Sequence, residues 1–357
     1  MELKDQGLFR QQCFIDGKWV DADSGETVEV TNPANGKVIG TMPNAGAAET
    51  KRAISAADRV WKDWRSMTAK ERAALIRAWH DLILENLDDL ALLMTMEQGK
   101  PLAEAKGEIT YASWFVEWFA EEGKRAYGDV IPQTISDKRI VVTREPVGVV
   151  AAITPWNFPA AMITRKAGPA LAAGCPIVIK PASSTPFTAT GLVELANRAG
   201  IPKGVINLLS GSARAIGGEM TENPTVRKLS FTGSTEIGKQ LMAQCAGTVK
   251  KVSLELGGNA PLIVFDDCNM EQAVAGAMAS KYRNTGQTCV CANRILVQDG
   301  VYDEFSQKFA QEVGKLEVGP GLEQGVSQGP LIDMAAVEKV EEHIKDALNK
   351  GARLIVG

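Results

Sequence analysis

Two cysteines one residue apart are the first candidates for chemistry in this sequence of 357 residues. Cys289 and Cys291 lie in the segment NTGQTCVCANR, which runs from Asn284 to Arg294. A structural zinc site usually needs two such pairs, and the other four cysteines are scattered. A disulfide across so short a spacing would be strained and labile. Two interpretations remain: a cysteine that packs, or a nucleophile exposed at a Gly/Thr-rich turn.

A nucleophilic cysteine needs a base, because a free thiol has a pKa of about 8.5 and the thiolate is the reactive form. The sequence offers only two histidines, His80 and His343, and each lies in a helical pattern. A carboxylate is the natural substitute. Glu255 is the candidate, since it lies in the apolar segment VSLELGGNAP, where a carboxylate is costly unless it serves a purpose. A carboxylate that faces water at a strand edge is the simpler alternative.

An asparagine held between two prolines could stabilise an oxyanion. Asn157 lies in TPWNFP, directly after a predicted strand. A rigidly held amide can donate to an oxygen that gains charge during reaction. The alternative is an ordinary turn asparagine.

Glycine-rich turns between strands and helices indicate phosphate binding. The dinucleotide fingerprint G-x-G-x-x-G is absent from these turns. FTGSTEIGKQ matches the P-loop spacing through Lys239, but Gln240 stands where a P-loop has Ser or Thr to hold magnesium. A dinucleotide pyrophosphate over Gly233 and Ser234 is therefore the preferred interpretation, and a tight packing turn is the alternative.

From Val147 onward, short apolar runs alternate with amphipathic stretches, which predicts a parallel sheet covered by helices on both faces. Lys180 follows one such run, at the carboxyl edge where ligands bind in α/β folds. Before this region, the pattern from Thr68 to Gly99 predicts one helix that begins with a capping box. The C-terminal segment predicts a helix that leads into a strand at RLIVG. Residues 123–145 read as an extended excursion, a hairpin used for association.

Five motifs in order carry a resemblance to a known family: TPWNFP, KPASSTP, FTGSTEIG, LELGGN and GQTCVCANR. The sequence resembles the NAD(P)-dependent aldehyde dehydrogenases over essentially its whole length. The resemblance implies an α/β fold with a parallel-sheet dinucleotide-binding domain, an α/β catalytic domain and an oligomerisation hairpin. We expect the first domain at 1–122 and 146–257, the hairpin at 123–145 and the N-terminal part of the catalytic domain at 258–357. Family members continue further, so the chain is expected to be truncated at its C-terminus.

The resemblance also implies roles for individual residues. Cys289 would be the nucleophile, Glu255 the general base, and Asn157 would hold the oxyanion together with the backbone N–H of Cys289. Cys291 could trap the nucleophile as a reversible disulfide under oxidation. The residues expected to contact the cofactor are Ile153, Pro155, Trp156, Lys180, Ser183, Gly233 and Ser234. No residue is expected to bind a metal.

Within the family, the sequences around Asn157 and Cys289 look like those of succinate-semialdehyde dehydrogenase. That resemblance assigns Arg165 and Arg283 to a substrate carboxylate, which suits the forked guanidinium. We therefore expect succinic semialdehyde, or a similar short ω-carboxy aldehyde, as the substrate. Ser183 is neutral at a position where an acidic residue would repel a 2′-phosphate, so NADP is the expected cofactor, with NAD possible.

The composition limits the other classes of function. The formal net charge is -4 with both signs interspersed, which argues against a nucleic-acid partner. No apolar run reaches the roughly 18 residues of a membrane span, and no signal core opens the sequence, so a soluble cytoplasmic protein is expected. A homodimer or homotetramer is expected from the resemblance. The alternatives are a catalytically silent nucleotide-binding fragment, a dehydrogenase of another aldehyde, and a P-loop NTPase.

Overall fold

The computed structural model describes residues 2–357. The strands are β1 Cys13–Ile15, β2 Lys18–Val20, β3 Thr27–Thr31, β4 Val38–Pro43, β5 Asp129–Ile131, β6 Ile140–Val142, β7 Val149–Ile153, β8 Ile177–Lys180, β9 Ile206–Leu208, β10 Val226–Thr232, β11 Lys251–Glu255, β12 Ala260–Val264 and β13 Ala292–Val297. The helices are α1 Ala47–Ser66, α2 Ala69–Glu85, α3 Leu87–Gln98, α4 Leu102–Glu122, α5 Ala161–Ala172, α6 Phe187–Arg198, α7 Ala213–Glu222, α8 Thr235–Ala246, α9 Met270–Tyr282, α10 Asp299–Val313 and α11 Met334–Asn349. The fold is α/β, as expected.

The main sheet has the order β11-β10-β7-β8-β9-β1-β2. Strands β7 to β11 run parallel, and the β1–β2 hairpin joins the edge at β9 in the antiparallel sense. Successive side chains of β7 serve opposite faces. Val149 and Ala151 pack in the core formed with α1, α7 and α8, whereas Val150 and Ala152 pack in the core formed with α2 to α6. The predicted parallel sheet with two covered faces is confirmed.

After β11 the chain leaves this sheet. Strands β12 and β13 form a separate two-stranded parallel sheet, and α9 and α10 pack on it through a small core that includes Val264 and Phe305. This change agrees in position with the expected boundary near Gly257. The division into domains itself stays a prediction.

Two expectations about elements were wrong. The helix predicted from Thr68 to Gly99 is divided at Asn86, which ends α2 and begins α3 with non-helical dihedral angles (φ −106°, ψ 21°). The expected capping box at its start is present, with Thr68 and Glu71 bonded reciprocally. RLIVG is not a strand, because these residues pair with no other strand in the described structure.

The segment 123–145, which was expected to form an extended hairpin, contains the antiparallel pair β5 and β6. All of residues 124–145 are exposed. Their role in association stays a prediction. Across residues 2–357, no helix combines the length and the apolar character that crossing a membrane requires.

Candidate active site

The carboxyl edge of the main sheet gathers the residues that were expected to bind a cofactor. Ile153, at the end of β7, pairs with Lys180 of β8 on one side and with Phe231 of β10 on the other. The chain moves from β7 to β8 in one direction, and β10 lies on the opposite side of β7. Ligands of open α/β sheets bind in the crevice at such a switch point.

Two segments line this crevice: the loop after β7, and the turn after β10 that leads into α8. Pro155 and Trp156 follow β7 and are half-buried. Gly233 and Ser234 follow β10, and Ser234 caps α8 by accepting a hydrogen bond from the backbone N–H of Ile237 (3.3 Å). The start of α8 thus presents its dipole and its free N–H groups to the crevice, which suits a pyrophosphate.

Buried polar atoms at the same edge support a polar ligand. The hydroxyls of Thr154 and Thr232, beside the ends of β7 and β10, are buried without a hydrogen-bond partner. Lys180 is buried and donates only to the carbonyl of Pro181 (3.1 Å). Burial lowers the pKa of Lys180 to about 8. Ser183 is exposed in the following turn. These donors and acceptors fit the ribose and phosphate groups of a dinucleotide.

The loop before β13 carries the candidate nucleophile. It opens with a 3₁₀ turn at Arg283–Gly286, in which Asn284 and Thr285 have left-handed backbones (φ 51° and 57°). Cys289 is exposed at the end of this loop. Its carbonyl oxygen lies 3.1 Å from the place that a side chain on Gly258 would occupy, so only glycine fits there without a shift.

Asn157 lies beside this loop, as the oxyanion role requires. Its side-chain Nδ2 donates to the carbonyl of Gln287 (2.9 Å), two residues before Cys289. An amide nitrogen carries two hydrogens, so one donor is left for a substrate oxygen. The loop backbone and Asn157 are therefore joined directly.

Glu255 is more exposed than its apolar neighbours in the sequence suggested. Its side chain is exposed because alternate residues of the edge strand β11 face solvent. The argument that Glu255 is a carboxylate buried among apolar residues was therefore wrong. It lines a cavity of about 400 Å³ together with Arg165 and Lys166. Lys166 is buried and donates to the hydroxyl of Ser230 (3.0 Å). Burial lowers the pKa of Lys166 to about 8, and the negative charge of Glu255 opposes that shift.

The two arginines expected to bind a carboxylate both lie close to the ring of Tyr111. Arg165 is hydrogen-bonded to the hydroxyl of Tyr111, and its Cζ lies 4.7 Å from the ring centre of Phe115. Arg283 is exposed, with its Cζ 5.8 Å from the ring centre of Tyr111 and 4.8 Å from that of Phe158. The Nε of Arg165 is buried and has no partner. Two guanidinium groups thus lie in one neighbourhood.

Cys291 differs from the exposed Cys289 in its burial. It is fully buried, with its Sγ 2.7 Å from the hydroxyl oxygen of Thr288 and 3.4 Å from the carbonyl oxygen of Lys281. The redox role of Cys291 stays a hypothesis. In residues 2–357, no three potential ligands among His, Cys, Asp and Glu converge on a metal position.

Sequence reasoning missed the buried charges behind the site. Lys100 donates to the carboxylate of Glu108 (2.5 Å) and to the carbonyl of Asn157 (2.9 Å), and both charged side chains are almost completely buried. The other carboxylate oxygen of Glu108 accepts the N–H groups of Ala160 and Ala161 at the start of α5 (3.0 and 3.2 Å). Lys100 and Glu108 are close in the sequence, but their contacts with Asn157, Ala160 and Ala161 span more than 50 residues, so no local pattern indicates them.

Comparison with known proteins identifies the family of the chain. The model of the aldehyde dehydrogenase family matches residues 19–357. The chain is 66% identical over 357 residues to glutarate-semialdehyde dehydrogenase of Pseudomonas putida and to the NADP(+) succinate-semialdehyde dehydrogenase of Escherichia coli. In both cases the alignment covers the whole chain and 74% of the relative.

A solved structure supports the fold directly. The crystal structure of an NADP-dependent enzyme from E. coli superimposes with a TM-score of 0.99 at 66% identity, over the whole chain and 74% of that structure. With the motifs, the sheet edge and the cysteine loop, these matches establish that the chain belongs to the aldehyde dehydrogenase family and is an oxidoreductase.

Proposed function

We propose that this protein oxidises succinic semialdehyde, or the one-carbon-longer glutaric semialdehyde, to the dicarboxylic acid with NADP. The observation that carries the proposal is the pair of guanidinium groups, Arg165 and Arg283, that both lie close to the ring of Tyr111. A carboxylate is the ligand that paired arginines bind best. The names of the relatives in Pseudomonas putida and E. coli support both substrates and the choice of NADP.

In this proposal, the thiolate of Cys289 adds to the aldehyde carbon and forms a hemithioacetal. The free N–H of the Asn157 amide and the backbone N–H of Cys289 stabilise the negative oxygen, a contribution of roughly 10²–10³ in rate for one such donor. NADP, when bound, supplies the hydride acceptor. Glu255 takes a proton from water, which cleaves the resulting thioester and regenerates the thiol.

Glu255 must turn from its present position to act in this way. Its backbone carbonyl accepts a hydrogen bond from Gly233 (3.1 Å), and the loop that follows it reaches Cys289 at Gly258. The exposed side chain has freedom to rotate toward that loop. Lys166, across the cavity, offers a second group that can hold or exchange the proton.

The first experiment mixes the purified protein with succinic semialdehyde and NADP and follows the absorbance of NADPH. We expect a steady rise that Cys289→Ala abolishes and that Cys268→Ala leaves unchanged, because Cys268 lies in the turn between β12 and α9 and packs against the small core there. A protein that binds NADP and turns over no aldehyde would instead be a silent nucleotide-binding member of the family. Turnover that survives Cys289→Ala would contradict the assignment of the nucleophile.

The carboxylate pocket is tested with Arg283→Met. Loss of a charged hydrogen-bond partner should raise the KM for succinic semialdehyde about 10- to 100-fold. The KM for butanal, which has the same length and no charge, should stay unchanged. Arg214→Met is the matched control, because Arg214 is an exposed arginine on α7, away from this pocket. Equal effects of Arg283→Met on the two aldehydes would rule out the carboxylate role.

A further inference from the structure

One buried asparagine in the nucleophile loop has every polar group bonded. Asn284 is 1% exposed. Its backbone is left-handed (φ 51°, ψ 40°), a conformation that strains most residues with a side chain and that asparagine tolerates. Strain of this kind persists where the surrounding contacts determine it, and it clusters at functional sites.

The contacts of Asn284 join four segments. Its backbone N–H donates to the carboxylate of Glu104 (3.1 and 3.3 Å), and its Oδ1 accepts from the amide of Gln98 (3.0 Å). Its Nδ2 donates to the carbonyl of Asn157 (3.0 Å) and more weakly to the carbonyl of Gln287 (3.4 Å). Its carbonyl accepts from the backbone and side-chain N–H groups of Gln287 (3.0 and 3.2 Å).

Two of these segments carry residues proposed to act in aldehyde oxidation, and the other two belong to helices that support them. Gln98 ends α3, and Glu104 lies in the first turn of α4. Asn157 follows β7, and Gln287 lies two residues before Cys289. Asn157 and Gln287 are also hydrogen-bonded to each other. Asn284, Asn157 and Gln287 therefore form a network in which each residue is bonded to the other two. The network fixes the candidate oxyanion donor against the backbone that carries the candidate nucleophile.

We propose that Asn284 is a positioning residue that sets the distance between the amide of Asn157 and Cys289. This inference rests on the roles given to those two residues in the proposed function. The requirements at this position are a left-handed backbone, an acceptor for Gln98 and a donor for Asn157. Aspartate lacks the donor and would place a second carboxylate beside Glu104. Glycine keeps the backbone and loses both side-chain bonds.

The test compares Asn284→Gly with Thr285→Gly. The neighbouring Thr285 has a similar backbone (φ 57°), but its side chain bonds only to the carbonyl of Gly329 and takes no part in the network. We expect Asn284→Gly to lower kcat about 10²-fold, the scale of a misplacement of about 1 Å, without changing the KM for NADP. Thr285→Gly should retain the parental kcat.

A double-mutant cycle separates positioning from general loosening of the fold. If Asn284 acts through Asn157, the variant with both Asn284→Gly and Asn157→Ala should be about as slow as Asn157→Ala alone. Losses that multiply, or an unchanged kcat in Asn284→Gly, would overturn the proposal. Running the cycle with both succinic semialdehyde and propanal keeps it independent of the substrate assignment.

A third measurement needs no turnover. Hydrogen exchange of peptides that cover 155–159 and 284–291 should be several-fold faster at both segments in Asn284→Gly, because the bonds between them are lost. In Thr285→Gly, the segment 155–159 should exchange at the parental rate. If Asn284→Gly leaves exchange at 155–159 unchanged, Asn284 does not hold the two segments together, whatever aldehyde the enzyme oxidises.

Discussion

Burial and hydrogen bonding shift the pKa of the Glu97 carboxylate, near the end of α3, in opposite directions. It is completely buried at the end of α3 and accepts the backbone N–H groups of Phe187 (2.6 Å) and Thr188 (2.8 Å) at the start of α6. Those two bonds favour the charged carboxylate, but burial is the larger effect and raises its pKa from 4.5 to about 8. Folding therefore favours the protonated form.

This pKa predicts how stability changes with pH. The folded state holds the Glu97 proton more tightly than the unfolded state, so the stability that this proton contributes is fully present below pH 4.5 and is lost as pH rises through about 8. The parent should lose up to about 3 kcal/mol of unfolding free energy through this group as pH rises from about 5.5 to 8, and Glu97→Gln should not. The unfolding free energy of the variant minus that of the parent should therefore increase by that amount over this range. Denaturant unfolding at both pH values measures the change. Glu222→Gln, at an exposed glutamate, should show no such gain, and identical pH profiles for the parent and Glu97→Gln would contradict the prediction.

At the scale of elements, the proposed contacts with the cofactor lie at the carboxyl edge of the main sheet. Lys180 ends β8, and the following turn presents Ser183 to solvent. Ser183→Asp would place a carboxylate where the adenosine ribose is proposed to lie. It should raise the KM for NADP by repelling the 2′-phosphate, while the KM for NAD stays the same or falls, because a carboxylate accepts from a 2′-hydroxyl. Steady-state kinetics with both cofactors checks this, with Ser184→Asp as the neighbouring control. An equal rise for both cofactors would place Ser183 away from the 2′ position.

The elements that the sequence predicted are those with a local signal. Apolar strands, amphipathic helices and the capping box at Thr68 depend on residues close in the chain. The β1–β2 hairpin was missed, although Asp16 and Gly17 form an Asp-Gly turn with positive φ at both residues (53° and 76°), which is a recognised hairpin signal.

The candidate site could be predicted only as far as its motifs. The candidate cofactor residues lie in motifs at strand ends, which the fold brings to one edge of the main sheet, and Asn157 is hydrogen-bonded to the loop that carries Cys289. The network around Asn284 could not be predicted, because Gln98 and Glu104 are 186 and 180 residues away in the sequence. For Glu255 the sequence predicted something that the structure lacks, because apolar neighbours in the sequence do not establish that a residue of an edge strand is buried.

At the scale of the whole molecule, the β5–β6 hairpin has no buried residue that would hold it against the rest of the chain. All of residues 124–145 are exposed, and the cross-strand pair Val130 and Val141 is 78% and 65% exposed. A two-stranded hairpin alone is marginally stable in water, and an exposed apolar patch usually marks a contact surface. The expected homodimer or homotetramer would cover this hairpin with a second copy of the chain.

Val130→Glu tests that assembly. A charge on a face that becomes buried between two copies carries a large desolvation cost, so the variant should dissociate at concentrations where the parent is oligomeric. Val38→Glu is the matched control, because Val38 is a half-exposed valine at the start of β4, in another two-stranded sheet. Sedimentation velocity over a range of concentrations measures the mass of each protein. A parent that is monomeric throughout, or a Val130→Glu variant with the parental mass, would show that the hairpin does not mediate self-association.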